Sequence, residues 1–509
     1  MRSAWSGGGG AEEQTAAVTV RERKKVALVS FQWSMYLEFA GRLEAEGFDV
    51  YWIHSLRSWT ERLVASGVPR ERILDLSDPA DFQERDVEAC RAGLAGLELP
   101  GHPRIHDLVQ MDRLLREMPH DFALRYLAHA KEEVERFLDA HGIVLVASVL
   151  DTALQLLTMA ICHRQGRLWA HLVALKMPPE RWAVFEGHVP DQPLRRRPVT
   201  DADREEAARL LESFRKGNAR ALMRRTATGY VDALRRLRLQ VPFFAGLLRA
   251  RLGHDRINDF ASYPLRRIVA MFLRKKVNLV YVRQFLKLGR EPRRPYVLFG
   301  LNRQPESSID VIGAFYSDQI AHVRQIARAV PVTHDLLVKL HLSDVDGRRP
   351  SGLRELAAIP GVRLIDPAAD TRQLILGADL VIAAYGTMVL EAALLGRPAI
   401  SFTRVYFTGL PAIAHCSSPA ALPDLVTAQL AKTAGSDDDR HAVELLAELY
   451  ASSFPGLPNR GYANEDYRQV DLDSIAEAFN WLHDVASERR SRCSPAQDVA
   501  SAATAPIRE

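Results

Sequence analysis

Residues 378–402 carry the sequence ADLVIAAYGTMVLEAALLGRPAISF, which contains a complete strand–helix–strand pattern. The run DLVIAAY predicts a buried strand, residues 388–395 predict a helix, and PAISF predicts the next strand. Strands that are connected through a helix lie parallel in one sheet. The segment therefore indicates an α/β fold with a parallel sheet.

The same alternation extends through the rest of the C-terminal half. Strands are predicted at PYVLFGL, DLLVKLH and VRLID, and helices at residues 317–329, 351–358 and 370–377. With right-handed crossovers and short connections, this series predicts a doubly wound Rossmann-like sheet in the order 3-2-1-4-5. Ligands of such sheets bind beyond the carboxyl ends of the strands, here between the first and fourth strands.

A second α/β pattern precedes this half. KKVALVSF and FDVYWIHS predict two strands around a helix that Gly47 ends, and a helix–strand–helix–strand series covers residues 120–172. We predict six segments along the chain. They are a disordered tail at 1–23, an N-terminal Rossmann-like domain at 24–194, a basic helical connector at 195–294, a C-terminal Rossmann-like nucleotide-binding domain at 295–435, C-terminal helices at 436–486 and a disordered tail at 487–509.

The composition favours a folded protein in a reducing compartment. The 509 residues are 47% hydrophobic and 26% charged, which excludes a disordered, collagen-like or coiled-coil chain. The four cysteines form no C-x-x-C pair, so neither a zinc ribbon nor a disulfide framework is expected, and no metal site is predicted. No secretion signal and no membrane-spanning run is found. These features predict a cytoplasmic protein.

The charge is strongly uneven. Residues 195–294 hold 26 lysines and arginines against 9 acidic residues, a local net charge of +17 in a chain of net charge +4. Such a segment is typical of a surface that faces an anionic membrane, an anionic polymer or a nucleic acid, although the charges can equally cover solvated helix faces. No nucleic-acid-binding motif occurs there, so a nucleic-acid partner is not predicted.

The candidate site residues follow the predicted strands of the C-terminal half. Gly386 and Thr387 open a helix whose backbone N–H groups can bind a phosphate, although Thr387 can also simply cap the helix. One turn further, Glu391 can accept hydrogen bonds from ribose hydroxyls or merely favour the helix dipole. The sequence contains no G-x-G-x-x-G fingerprint and no Walker loop, which argues against a dinucleotide enzyme and a P-loop kinase.

Two further candidates come from the first and second strands. His341 ends the second strand and can donate a hydrogen bond to a phosphate or act as a general acid on a departing nucleotide. Lys339 lies two residues earlier and can face the same side. After the first strand, Pro305 fixes the backbone between Gln304 and Glu306 and aims two polar side chains from a rigid turn.

These motifs together resemble the bacterial capsule polysaccharide biosynthesis family, which includes the capsular Kdo transferases. The matching residues, spread over about 110 positions, are Gln304, Pro305 and Glu306 of a Q-P-E loop, Lys339 and His341 of a K-x-H strand end, and Gly386, Thr387, Glu391, Gly396 and Pro398 of the last motif. The family has a proline where this chain has Leu342. The resemblance implies a GT-B fold, with two Rossmann-like domains across a cleft and the nucleotide held by the C-terminal one.

The resemblance also implies an activity. It indicates a metal-independent glycosyltransferase that uses a CMP- or UDP-linked sugar, with no cofactor besides this donor, to extend a glycan or lipid-linked acceptor of a capsule or another surface polysaccharide. The catalytic base would come from the first domain. Asp112, in RIHDLVQMDRLL, resembles part of a D-R pair of the family, and Asp151, after the strand IVLVASVL, is its positional competitor. Glu306 and His341 complete the predicted catalytic set.

Three hypotheses follow for function. The first is this glycosyltransferase, with residues 195–294 placed against the anionic inner membrane as a peripheral attachment. The second keeps the fold but changes the reaction to a GT-B-type nucleotide-sugar epimerase, which needs no acceptor. The third is a non-catalytic factor for polysaccharide assembly or export. Nucleotide binding and turnover of the donor without an acceptor separate these hypotheses.

Overall fold

The computed structural model describes residues 23–31, 35–219, 270, 273, 278, 295–304, 306–341, 350–367, 369–432, 436–458 and 471–492. These residues form two α/β units, each built around its own sheet. The N-terminal unit contains β1 (Lys24–Val29), α1 (Met35–Ala45), β2 (Phe48–His54), α2 (Arg57–Ala65), β3 (Ile73–Asp75), α3 (Val87–Ala95), α4 (Ile105–Met111), α5 (His120–Ala140), β4 (Leu145–Ser148), α6 (Ala153–Arg164), β5 (Leu168–Ala174) and β6 (Arg181–Phe185).

The C-terminal unit follows a helix that leads into it, α7 (Asp201–Arg215). Its elements are β7 (Tyr296–Gly300), α8 (Gln319–Ala329), β8 (Asp335–Lys339), α9 (Pro350–Ala357), β9 (Val362–Ile365), α10 (Thr371–Gly377), β10 (Leu380–Ala383), α11 (Thr387–Leu394), β11 (Ala399–Ser401), β12 (Ile413–His415) and α12 (Leu422–Leu430). The last elements are α13 (Ser436–Ser452), β13 (Ser453–Pro455) and α14 (Leu472–Arg492).

The C-terminal sheet has the strand order β12-β11-β10-β7-β8-β9 and is parallel throughout. Counted from its first strand, this order is 3-2-1-4-5 with a sixth strand, β12, added at one edge, so the predicted order is confirmed. The central strands are buried on both faces, as their unbroken apolar sequences require. The order reverses between β7 and β10, which places the ligand-binding edge there.

The N-terminal sheet repeats this arrangement and extends it. Its order is β13-β6-β5-β4-β1-β2-β3. The five strands from β5 to β3 are parallel, β6 pairs antiparallel with β5, and β13 pairs antiparallel with β6. The order reverses between β1 and β4. Two parallel-sheet α/β domains of this kind match a GT-B-like fold, and the predicted fold class is confirmed.

The two units share packing at their junction. Leu175, Met177 and Phe185 of the N-terminal unit belong to the same buried cluster as Tyr296 and Leu298 of the C-terminal unit. After α13, the chain returns to the N-terminal unit, where β13 pairs with β6 and α14 packs on α1. The Phe39 and Phe479 rings meet edge to face at 5.3 Å. The strand β13 interrupts the segment predicted as helical, and α14 continues to Arg492, beyond the predicted helix end.

Most of the predicted basic connector lies outside the described residues. Its first part is α7, which packs against α13 through ion pairs, among them Arg204–Glu444 at 2.9 Å and Arg215–Asp439 at 2.5 Å. Within the described ranges, no helix has both the length and the hydropathy needed to cross a bilayer.

Candidate functional site

A network of side-chain amides shapes the loop after β7. The Gln319 side chain, buried on α8, accepts a hydrogen bond from the Asn302 backbone N–H at 2.7 Å and donates to the Asn302 carbonyl at 3.0 Å. It also donates to Gln304 Oε1 at 3.1 Å. Gln319 therefore holds the backbone at the carboxyl end of β7 in one conformation.

Gln304 continues this network towards a buried carboxylate. Its Nε2 donates to Asp310 Oδ1 at 2.9 Å and to the Ser317 carbonyl at 3.1 Å. Asp310 lies in a π-helical turn at Ser308–Ile312, and its Oδ2 accepts from the Glu306 backbone N–H at 3.1 Å. Both the Oε1 and the Nε2 of Gln304 thus bind protein atoms. Through Asp310, this side chain holds the backbone at Glu306 in place.

The turn after β10 lies against the loop after β7. Asn302 Nδ2 donates a hydrogen bond to the Tyr385 carbonyl at 2.6 Å. The next residue, Gly386, has φ 153° and ψ 173°, a conformation essentially restricted to glycine, and α11 begins directly after it. Within the described chain, no side chain caps this helix start. The two turns at the strand-order reversal therefore meet beside a helix start that no described side chain caps.

Glu391 lies one turn inside α11 and is 8% exposed. Burial raises the pKa of its carboxyl, while a hydrogen bond from Thr387 and the positive charge of Arg372 act in the opposite direction. Its Oε1 is buried and has no hydrogen-bond partner among the described residues. Asn302 Oδ1 is also buried and has no hydrogen-bond partner among the described residues. Buried acceptors without a partner are uncommon, and each is a candidate to receive a ligand hydroxyl.

The two residues predicted at the end of β8, Lys339 and His341, have different surroundings. Lys339 is buried, and its Nζ donates to the Pro367 carbonyl at 2.9 Å, in the loop after β9. The side chain of His341 is exposed, but the protein around the ring and the positive charges of Arg303 and Lys339 lower the pKa of the imidazole to about 4. His341 is therefore neutral at pH 7 and can donate one N–H hydrogen bond, whereas Lys339 braces a neighbouring loop.

In the N-terminal unit, Asp112 serves as a helix cap. Its Oδ2 accepts a hydrogen bond from the Ala153 backbone N–H at 2.9 Å, in the first turn of α6. Its Oδ1 accepts from the N–H groups of Leu114 and Leu115 at 2.9 and 3.1 Å. The carboxylate is 9% exposed. Both oxygens are thus engaged by backbone amides, which are the partners expected of a structural carboxylate.

Asp151 follows β4 and lies where the two units meet. Its Oδ1 forms an ion pair with Arg113 Nη2 at 2.5 Å, and 43% of its side chain is accessible to solvent. Protein atoms of the surrounding loops nevertheless desolvate the carboxylate and raise its pKa to about 6. Arg113 acts against this shift, while the negative charges of Asp112, Glu306 and Asp310 add to it. Its carboxylate therefore changes charge close to neutral pH.

Charged groups of the two units face each other around Asp151. Asp310 Oδ1 lies 3.9 Å from Arg116 Nη1 of the N-terminal unit. Burial lowers the pKa of the Lys176 amine, between β5 and β6, and the negative charge of Glu306 opposes this shift. We call this set the interdomain charge cluster. Its members are Arg113, Arg116, Asp151 and Lys176 from the N-terminal unit and Glu306 and Asp310 from the C-terminal unit.

The structure therefore divides the residues predicted from the sequence. Glu306 lies in the interdomain charge cluster, His341 lies near Arg303 in the adjoining loop, and Gly386 lies beside Asn302, whereas Lys339 and Asp112 are engaged within their own units. Pro305 and Leu342 lie outside the described residues. No sequence signal points to Arg116, Lys176, Asp310 or Gln319, because these residues come from loops and a helix that only the tertiary fold brings to the site.

No protein-family model and no curated protein sequence matches the chain. Similar solved structures include KpsC, a beta Kdo 2,4 transferase of Thermosulfurimonas dismutans, at 14% identity and a TM-score of 0.33, with 62% of this chain and 82% of that chain covered. A UDP-GlcNAc 2-epimerase of Methanocaldococcus jannaschii, in complex with UDP-GlcNAc and UDP, has 14% identity and a TM-score of 0.27 over 83% of this chain and 99% of its own.

MurG of Acinetobacter baumannii is also similar, at 11% identity and a TM-score of 0.28, with 90% of this chain and 99% of that chain covered. Identities and TM-scores this low give no basis for assigning an activity. The resemblance to the capsule polysaccharide family therefore stays a prediction.

Proposed function

We propose that the protein is a glycosyltransferase that transfers a sugar from a CMP- or UDP-linked donor to a glycan or lipid-linked acceptor in surface polysaccharide biosynthesis. The observation that carries this proposal is the position of Asp151. A carboxylate with a pKa near neutrality lies at the junction of the two units, where the charge of Glu306 acts on it, and the C-terminal unit offers a glycine-opened helix start. A base, an anion site and a domain junction are what sugar transfer from a nucleotide requires.

The donor would bind to the C-terminal unit. The uncapped N–H groups at the start of α11 and the positive end of the helix dipole favour a phosphate. The absence of a side chain at Gly386 lets the phosphate approach the backbone. The neutral ring of His341 and the guanidinium of Arg303 can donate further hydrogen bonds. Glu391 Oε1, which is buried and has no partner among the residues that the structure describes, would accept a ribose hydroxyl.

The acceptor would bind on the side of the N-terminal unit. In the reaction, the acceptor oxygen bonds to the anomeric carbon while the bond from that carbon to the phosphate oxygen breaks. The electron pair leaves with the nucleotide, and the hydroxyl proton passes to Asp151. A base whose pKa lies near the working pH is ionised often enough to react and still binds the hydroxyl proton well. We assign this role to Asp151 in preference to Asp112, because three backbone N–H groups already occupy the Asp112 carboxylate.

The first test is nucleotide binding. Calorimetric titration of the full chain with CMP and UDP should give saturable binding to at least one of them. Glu391→Gln should weaken it about tenfold, since a hydrogen bond to a charged acceptor contributes about 1.5 kcal/mol or more. The matched control is Glu355→Gln, because Glu355 lies on α9 and pairs with Arg324. Absence of binding for both nucleotides would overturn the proposal.

A second experiment separates transfer from epimerisation. The donor that binds is incubated with the enzyme alone and followed by NMR. A transferase should leave the donor sugar's configuration unchanged, whereas an epimerase should convert it without an acceptor. Asp151→Asn and Glu306→Gln should abolish polysaccharide production in a producing cell, while a non-catalytic assembly factor would tolerate both.

Membrane attachment is a separate part of the proposal. The charge of residues 195–294 would bind anionic lipid, at about 1 kcal/mol for each lysine or arginine near the surface. The full chain should sediment with vesicles that contain phosphatidylglycerol and remain in solution with purely zwitterionic vesicles at the same salt concentration. Equal sedimentation with both kinds of vesicle would contradict membrane attachment, and the proposed enzymatic activity would be unaffected.

A further inference from the structure

We propose that Arg113 is a positioning residue that orients the Asp151 carboxylate and sets its proton affinity, with Asp112 as the anchor that keeps Arg113 and Asp151 in register. This inference rests on the proposed function, because it gives a role to the group next to the proposed base. It also changes the role predicted for Asp112. The Asp112 carboxylate holds the backbone, and the guanidinium of the neighbouring Arg113 contacts the proposed base.

The anchor is visible in the backbone contacts of Asp112. One oxygen binds the turn that carries Arg113, through the N–H groups of Leu114 and Leu115. The other binds the N–H of Ala153, two residues after Asp151. A single buried carboxylate thus joins the segment that carries the arginine to the segment that carries the proposed base. Neither segment can shift without breaking a charge-assisted hydrogen bond.

The backbone of Asp151 is held from the other side as well. Gln155 Oε1 accepts from the backbone N–H groups of Asp151 and Thr152 at 2.6 and 2.8 Å. The Gln155 Nε2 donates to Ser148 Oγ at 2.8 Å, and that hydroxyl donates to the Val29 carbonyl at 2.8 Å. The loop after β4 is therefore tied to β1 and α6. The side-chain torsions of Asp151 are what remains to be fixed, and the ion pair with Arg113 fixes them.

The charges around Asp151 define what Arg113 does. Asp112, Glu306 and Asp310 each disfavour the ionised carboxylate, and Arg113 is the cation that favours it. The other two cations of the interdomain charge cluster act on different carboxylates: Arg116 lies near Asp310, and Lys176 responds to Glu306. Without Arg113, the pKa of Asp151 would rise further, and a larger fraction of the base would be protonated at neutral pH.

The test measures the proton affinity of Asp151 directly in the full chain. Aspartate labelled with ¹³C at the carboxyl carbon is followed by NMR over a pH titration, and Asp151→Asn assigns its signal. Arg113→Gln should raise the titration midpoint by about one pH unit, because a partly exposed opposite charge lies at the low end of the known effect. Arg113→Lys should restore most of the wild-type midpoint.

The control is Arg85→Gln, which removes an arginine of the same unit that pairs with Glu132. It should leave the Asp151 midpoint unchanged. An unchanged midpoint in Arg113→Gln, or equal midpoints in the Gln and Lys variants, would overturn the positioning role. Nucleotide binding by the C-terminal unit should persist in Arg113→Gln, so failure of this inference is distinguishable from failure of the proposed function, in which the wild type binds no nucleotide.

Discussion

The helices α6 and α11 occupy the same place in the two units, and their first turns differ. Each follows the fourth strand of a sheet with the order 3-2-1-4-5, at the point where strand order reverses. At α6, the Asp112 carboxylate and the Gln155 side chain bind the first N–H groups. At α11, Gly386 precedes the helix and no described side chain caps it.

The difference shows how one topology supports two kinds of site. The amino-terminal end of a helix attracts an anion. At α6, the Asp112 carboxylate is that anion. In the C-terminal unit we propose that a ligand takes the same position. A phosphate is therefore expected at α11 and excluded from α6, where the neighbouring Asp151 can instead serve an uncharged hydroxyl group.

The largest expected effect concerns acid stability, and it should appear in both units, because burial also lowers the pKa of His322 in the C-terminal unit to about 4. Burial lowers the pKa of both His54 and His171 in the N-terminal unit to about 4, below the value of about 6.5 in an unfolded chain. Their contribution to stability is complete above about pH 6.5 and is lost as the pH falls towards 4, by about 1.4 kcal/mol per histidine and pH unit. The thermal midpoint should fall steeply over this range.

Tryptophan fluorescence measures this effect in the N-terminal unit, because residues 183–480 contain no tryptophan. The fluorescence midpoint should drop between pH 7 and pH 5, and His171→Gln should make the drop smaller. A midpoint that is independent of pH would show that these histidines are not buried as described.

Removal of the cap at α6 should have the next largest effect. Asp112→Ala leaves three backbone N–H groups without their carboxylate and should lower the free energy of unfolding by about 3 kcal/mol, measured by urea denaturation. Asp107→Ala is the control, since its carboxylate accepts a single capping hydrogen bond, from the Arg104 N–H at 3.2 Å. Similar losses in the two variants would contradict the anchoring role of Asp112.

At α11, the corresponding change is Gly386→Ala. A side chain at φ 153° and ψ 173° introduces backbone strain and should cost about 2 kcal/mol of unfolding free energy. The same strain should displace the first turn of α11 and weaken nucleotide binding in the calorimeter. Gly409→Ala in the same unit is the matched control, because a methyl group there meets no atom within 4 Å. If Gly386→Ala bound nucleotide normally, the anion site would have to lie elsewhere.

The smallest effect is expected at the other end of α11. Arg215 Nε donates to the Leu394 carbonyl at 2.9 Å, and its guanidinium also pairs with Asp439 of α13. Arg215→Gln should reduce the unfolding free energy by about 1 kcal/mol, because these contacts are partly solvated. Arg209→Gln disrupts the ion pair between Arg209 and Glu206, both on α7, and should not measurably change the unfolding free energy. Equal results for the two variants would show that the α11 carboxyl end needs no cation.

The long periodic elements were predictable, and the short edge strands were not. The five predicted strands of the C-terminal sheet are present in the predicted order, because continuous apolar runs between helical patterns have few alternatives. The strands β11, β12 and β13 have three residues each, but only β11 closes a predicted strand–helix–strand pattern. The pairing of β12 and β13 depends on neighbours that are distant in the chain, so sequence alone offered no signal for them.

For the candidate site, the sequence predicted which strand ends carry the site residues but not the direction of each side chain. Lys339 and His341 are two residues apart, yet the Lys339 amine contacts the loop after β9 while His341 lies near Arg303. The sequence favours Asp112 as the base of the first domain, with Asp151 as its competitor. Only their partners distinguish them, namely backbone N–H groups for Asp112 and a guanidinium for Asp151.

By itself, the sequence determined the fold class, the order of the C-terminal strands and the glycine-opened helix, since apolar periodicity and backbone preferences act over a few neighbouring residues. The tertiary structure alone decided which helix start is already filled and which carboxylate has a pKa near neutrality. Both depend on desolvation and on charges from segments far apart in the chain, and these act only once the two units have packed together.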